Sequence, residues 1–136
     1  MSNEMYPLSR QAFADGDLDW SGADWRIALV DATYVYSAAH DFYTDLGASV
    51  IVASANLTGK TNVLGVCDAS DVVFAAVPLG DNVRGVVLYQ WTGVAATSRV
   101  VVYYDTKATA ELINFDTDSG DIIVRWSNGS TKMFRL

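Results

Sequence analysis

Three stretches of this chain carry residue types and spacings that could do chemistry. Residues 54–61 read SANLTGKT and end like a phosphate-binding loop. That motif needs Gly where Ser54 stands and a helix whose N-terminus meets the phosphate, whereas Asn62-Val63-Leu64-Gly65 reads as the start of a strand. A strand-connecting turn is the better reading. Asp15, Asp17 and Asp19 alternate as the opening carboxylates of a calcium loop do, but the sixth and twelfth positions hold Trp20 and Arg26 instead of Gly and Glu. A second set, Asp116, Asp118 and Asp121, fails in the same way, with Ser127 at its last position. Both are read as turn aspartates. The only His, His40, stands beside Asp41 and near Asp45, and the only Cys, Cys67, follows an apolar run. Nothing local makes them a nucleophile and its base, and a free Cys in such a run is usually a small buried hydrophobe. One His and one Cys do not complete a zinc site without carboxylates. No catalytic residue, metal site or cofactor is expected. The acceptor patterns at Asn56 and Asn128 carry no weight without a secretory signal.

The composition bounds the rest. A chain of 136 residues is expected to form one domain, residues 1–136, with a folded surface of about 7,000 Å². The start MSNEMYPLSR lacks a basic region and an apolar core, so no export signal is expected, and no apolar stretch is long enough for a membrane helix. A net charge of −7 with scattered Lys and Arg argues against nucleic acid as a partner. Only two of the 16 acidic residues are Glu. Asp belongs in turns and caps while Glu belongs in helices, which favours a loop-rich β fold.

The elements follow from the pattern. Residues 84–91 (RGVVLYQW) and 99–105 (RVVVYYD) are β-branched and aromatic, and they predict two long strands of one antiparallel hairpin. Residues 1–16 predict an N-terminal arm with a short helical turn over 8–14, capped by Ser9 and ended by Asp15-Gly16. Short strands are expected at 18–20, 25–31, 49–54, 63–67 and 72–77, with a short helix over 38–46 closed by Gly47. Asn128-Gly129 between DIIVRWS and STKMFRL predicts a terminal hairpin in which Val124 faces Met133 and Ile123 faces Phe134. Both of its faces would then be apolar, so it would be buried on both sides or docked to a partner on one. The sum is an all-β protein, a compact sandwich or jelly-roll-like barrel of about seven to nine strands.

Four Trp, seven Tyr and five Phe are dense for this length, and Tyr and Trp favour half-buried and interface positions. Trp91 stands at the lip of the loop 92–98, and Tyr103 and Tyr104 point to opposite faces of their strand. Long apolar strands leave edges that must be paired or covered, so these three are candidate protein-interface residues. Tyr6, Leu8 and Phe13 join them as anchors of an arm that orders on docking.

The segments WRIALVDATYVYSAAHDFYTDL, SANLTGKT, GVCDASDVVFAAV, VVLYQWTGVAATSRVVVYYDT and GDIIVRWSNGSTKMFRL, in that order, resemble a group of small β-rich virion structural proteins of tailed bacteriophages. The resemblance spans residues 8–136. Its most specific parts are Arg10-Gln11-Ala12-Phe13, the loop TGVAATS and the terminal WSNGSTKMFRL. The chain departs from the group at Trp91, where a charged residue is commoner, and over residues 107–115, which are less rich in Pro and Gly. The resemblance implies a non-enzymatic virion component assembled in the host bacterial cytoplasm. The role it favours is a capsid decoration or cement protein whose partner is the major capsid protein or another virion protein, with a homo-oligomer as a further option. The alternatives are a neck, tail or fibre component, or a carbohydrate- or receptor-binding β module that uses Trp91 and the neighbouring tyrosines as a stacking platform.

Overall fold

The computed structural model describes residues 3–22, 24–107, 111–127 and 132–135. The two valine-rich runs form β7 (Asn82–Trp91) and β8 (Val100–Tyr104), paired antiparallel as the sequence predicts. On the other side of β7 lies β2 (Asp24–Asp31), and β3 (Ile51–Asn56) pairs with β2. The N-terminal β1 (Glu4–Met5) completes the path by pairing with β8, and the two-residue β9 (Phe115–Asp116) pairs with the start of β7. The result is a six-stranded sheet of order β1-β8-β7-β2-β3, with β9 off the path. Two small sheets stand apart from it. One holds β4 (Thr61–Val63), β5 (Val66–Asp68) and β11 (Phe134–Arg135); the other holds β6 (Val72–Phe74) and β10 (Ile122–Val124). The fold is all-β, with one short α-helix among the described residues, and it exposes 7087 Å².

Alternation on the central strands explains why the sheet is buried twice. Trp25, Ile27 and Leu29 of β2 pack with Val86 and Leu88 of β7 on one face, against Cys67, Val72, Phe74 and Phe134 of the small sheets. The intervening Ala28 and Val30 pack with Val87 and Tyr89 on the other face, against Tyr6, Tyr34, Leu46 and Val50. A strand covered on both faces reads as continuous apolar sequence, which is what the valine runs do. In β8 the register slips by one residue between Leu88 and Tyr89, so Val101 and Val102 both join the first core. A bulge of this kind lets two neighbouring side chains serve one face.

Several expectations are corrected. Residues 1–16 do not form a free arm among the residues described. The short helix expected over 8–14 is present as Pro7–Asp15 (α1) and, as expected, ends at Gly16 (φ 82°), where the Asp17 N–H reaches back to the Ala12 carbonyl at 2.8 Å. Ser9 does not cap it. Tyr6 holds the N-cap position and Pro7 the first turn, while the buried Ser9 hydroxyl reaches the carbonyls of Tyr6 (2.6 Å) and Val101 (3.0 Å). Residues 18–20 form no strand, although Leu18 and Trp20 are buried.

The helix expected over 38–46 shrinks to a 3-10 turn at Tyr43–Leu46. Phe42 is extended and bridges Arg99, and the Asp45 carboxylate accepts the N–H groups of Asp41 and Phe42 at 2.9 Å each. The run expected as one strand over 63–67 contains a tight turn at Leu64-Gly65. Both residues have positive φ (52° and 84°), as a two-residue hairpin turn requires.

The terminal hairpin is also not formed as expected. Ile123 lies opposite Val73, and Phe134 opposite Cys67. Residues 128–131, which carry the Asn-Gly pair, lie outside the described residues. A favourable turn is a local preference, and here each flanking strand finds a separate apolar partner across the first core.

Candidate functional site

The six interface candidates do not converge on one surface. Tyr6 is fully buried, and its hydroxyl shares a 2.6 Å hydrogen bond with that of Tyr34. The Tyr34 hydroxyl in turn lies 2.9 Å from His40 Nδ1, which extends the chain of polar contacts from Tyr6 through Tyr34 to the imidazole. Tyr103 is buried in the same cluster, edge-on to Tyr34 at 5.2 Å and stacked on Tyr36 at 5.9 Å. Burial pushes the Tyr6 phenol far above its usual range and the Tyr34 phenol up to about 12. These groups stay neutral and act as core.

Leu8 is half-buried and lines a shallow cleft with Gln11, Asp17, Asp41 and Arg99. Arg99 dominates that cleft. Its guanidinium meets Asp41 at 2.6 Å and Asp17 at 3.9 Å, and lies 5.1 Å over the Phe42 ring. Phe13 is half-buried, stacked on Trp25 at 6.1 Å and close to Phe134. Both contacts tie α1 into the first core. Tyr104 points to the face opposite Tyr103, as the strand pattern predicts, and its hydroxyl donates to the Met133 carbonyl at 2.8 Å.

Trp91 is half-buried at the end of β7. Tyr43 stacks on Tyr89 at 4.4 Å, Trp91 meets both edge-on, and the Arg26 guanidinium sits 5.1 Å over the Trp91 ring. One face of the indole is therefore already occupied by a cation from its own chain.

The residues with potential chemistry are separated or already engaged. Cys67 belongs to the first core and His40 sits with the tyrosines beyond the opposite face of the sheet, so the two do not meet. Burial pushes the Cys67 thiol up to about 11. Thr58-Gly59-Lys60 links β3 to β4, and a strand follows it in place of a helix. Asp19 accepts from the N–H and hydroxyl of Ser21, Asp118 from the Gly120 N–H, and Asp121 from the Ala76 N–H. Each holds a turn or loop in shape. Among the described residues no group of three or more His, Cys, Asp or Glu is placed to hold a metal ion, and no helix is long and apolar enough to cross a membrane.

What the candidates miss lies on the small sheets. Leu64 is 96% exposed at the tip of the β4–β5 turn, with Val63 beside it also exposed. Val73 and Ile123, directly opposite each other on β6 and β10, are 54% and 47% exposed on the outer side of their sheet. The signal was in the sequence, since DIIV places apolar residues on both faces of one strand. Compared with family models, with curated proteins and with solved structures, the chain matches none.

Proposed function

We propose that the chain is a structural protein of a tailed-bacteriophage virion, and within it a decoration or cement protein that binds across neighbouring subunits of the major capsid protein. The observation that carries this reading is the coexistence of a closed core with apolar side chains left outside it, at Leu64, Val73 and Ile123. The central sheet is covered on both faces, and such outward apolar groups suit binding to another protein. The resemblance of residues 8–136 to small virion proteins names the setting. In this role the mechanism is mechanical. Burying about 1,600 Å² per site is a standard interface, and many symmetry-related sites raise the barrier to shell rupture without any one being tight. An acidic chain suits the outer surface of a capsid, away from packaged DNA.

Glycan stacking on Trp91 has less behind it, because Arg26 covers one face of the ring and Tyr43 meets it edge-on. The deciding experiment is immunogold electron microscopy of gradient-purified virions with antibody against this protein. Gold spread over the heads is the expected result. Gold confined to the neck, tail or fibres would overturn the cement role while keeping the virion role, and unlabelled virions would overturn both.

A further inference from the structure

Strand β10 pairs with β6 along one edge, and no described residue pairs with the other. Soluble proteins usually blunt such an edge with Lys, Pro, a bulge or a covering segment. This one is Ile122-Ile123-Val124, with none of those residues in it, and Ile123 is 47% exposed.

The charges at its two ends say what fits. Asp121 precedes the strand and Arg125 follows it. If two copies pair antiparallel about a two-fold axis at Ile123, Ile123 opposes itself and Ile122 opposes Val124. Asp121 then opposes Arg125 of the second copy, and symmetry repeats that opposite-charge pair at the other end. Both groups are available. Arg125 is exposed and has no ion-pair partner among the described residues, and Asp121 uses only Oδ1 to hold the Ala76 N–H, at 2.8 Å. Slipping the register by two residues would set each charge opposite an apolar residue or leave it without a mate, so the sequence selects the symmetric register.

We propose that β10 is a homodimerisation edge, at which two copies of this chain join their small sheets into one four-stranded antiparallel sheet of order β6-β10-β10-β6. The outer face of that sheet carries a continuous row of Val73, Ile123, Ile123 and Val73. The inference stands apart from the virion reading, and neither depends on the other.

The test uses the full chain. Sedimentation velocity over a concentration series is expected to show a monomer–dimer equilibrium, and Arg125→Glu, which sets acid against acid at both ends, to weaken it roughly tenfold. Under mild oxidation Ile123→Cys is expected to form a disulfide-linked dimer, because directly opposed residues have Cα atoms about 4.5–5.5 Å apart. Val73→Cys, about 14 Å from its mate across three strand spacings, is expected to stay monomeric on non-reducing gels. Buried Cys67 contributes no cross-link in either case. A chain that stays monomeric at every concentration would overturn the proposal, as would a dimer in which Ile123→Cys fails to cross-link or Val73→Cys links equally well.

Discussion

The Tyr103 ring lies so close over Gly85 that a Cβ at residue 85 would sit 2.5 Å from its Cε1 atom. The ring has little room to yield, being packed edge-on to Tyr34 and stacked on Tyr36. Glycine in the middle of a long strand otherwise weakens it, and here the aromatic ring fills the space a side chain would take. Gly85→Ala is therefore expected to destabilise the fold by about 1–3 kcal/mol through overpacking, read from urea denaturation. A neutral result would mean that the ring moves aside at no cost.

The first residues are predicted to be indispensable. Met5 pairs with Val102, Tyr6 is fully buried, and Phe13 stacks on Trp25. Deleting residues 1–13 is expected to abolish the cooperative thermal transition seen by far-ultraviolet circular dichroism. A truncated chain that melts like the parent would restore the picture of an arm that orders only on docking.

Alkaline pH should unfold the protein and ionise its tyrosines together. All seven phenols are raised above their ordinary value of 10.0, first of all by burial. A raised folded-state value means that the contribution to stability is complete below the unfolded value and is lost as pH climbs through the folded one. For Tyr34 that window runs from 10.0 to about 12. Absorbance at 295 nm is expected to show little tyrosinate at pH 10 and then a rise coincident with loss of circular dichroism. A normal titration with the fold intact would contradict the burial.

Cys67 should be inert while the chain is folded. It is fully buried and its thiol is pushed up to about 11. Reaction with a chromogenic disulfide at pH 8 is expected only after denaturant is added. Rapid stoichiometric reaction with the native chain would show that the first core opens on the timescale of the assay.

Arg99 fastens residues 41–43 to the end of β8. The Asp41 ion pair at 2.6 Å is reinforced by the Val100 N–H on the Asp41 carbonyl and the Tyr43 N–H on the Ser98 carbonyl. Arg99→Leu is expected to cost about 1–2 kcal/mol in urea denaturation, since the pair is partly shielded and charge-assisted. An unchanged midpoint would mean that the backbone bonds alone hold the segment.

Legibility from sequence follows the range over which each signal acts. The β7–β8 hairpin was readable because both strands are covered on two faces, and burial writes itself into consecutive residues such as Val86-Val87-Leu88 and Val100-Val101-Val102. The terminal hairpin is not legible because Asn128-Gly129 reports only a turn preference, whereas Ile123 and Phe134 find their partners on β6 and β5, some fifty to seventy residues away in sequence. Tyr6 and Tyr103 have the residue type of an interface but the position of a core. Their burial depends on Tyr34 and Tyr36, whose loop carries no strand or helix period. Of the candidate surface, the two-sided apolar character of DIIV was visible, but its open edge was not, because strand pairing is a property of the sheet.

The pairing of β1 with β8 also fixes the order in which this chain can mature. Glu4 meets Tyr103, and the Asn3 side chain bridges to residues 105 and 106, each about a hundred positions further on. A ribosome therefore releases the first strand and helix long before their docking surface has been made. During that interval Tyr6 and Phe13 have nowhere to bury. Closing so long a loop is slow compared with local pairing, so the native state should arrive only after synthesis has passed β8, in a late step that docks β1 and α1 against that strand.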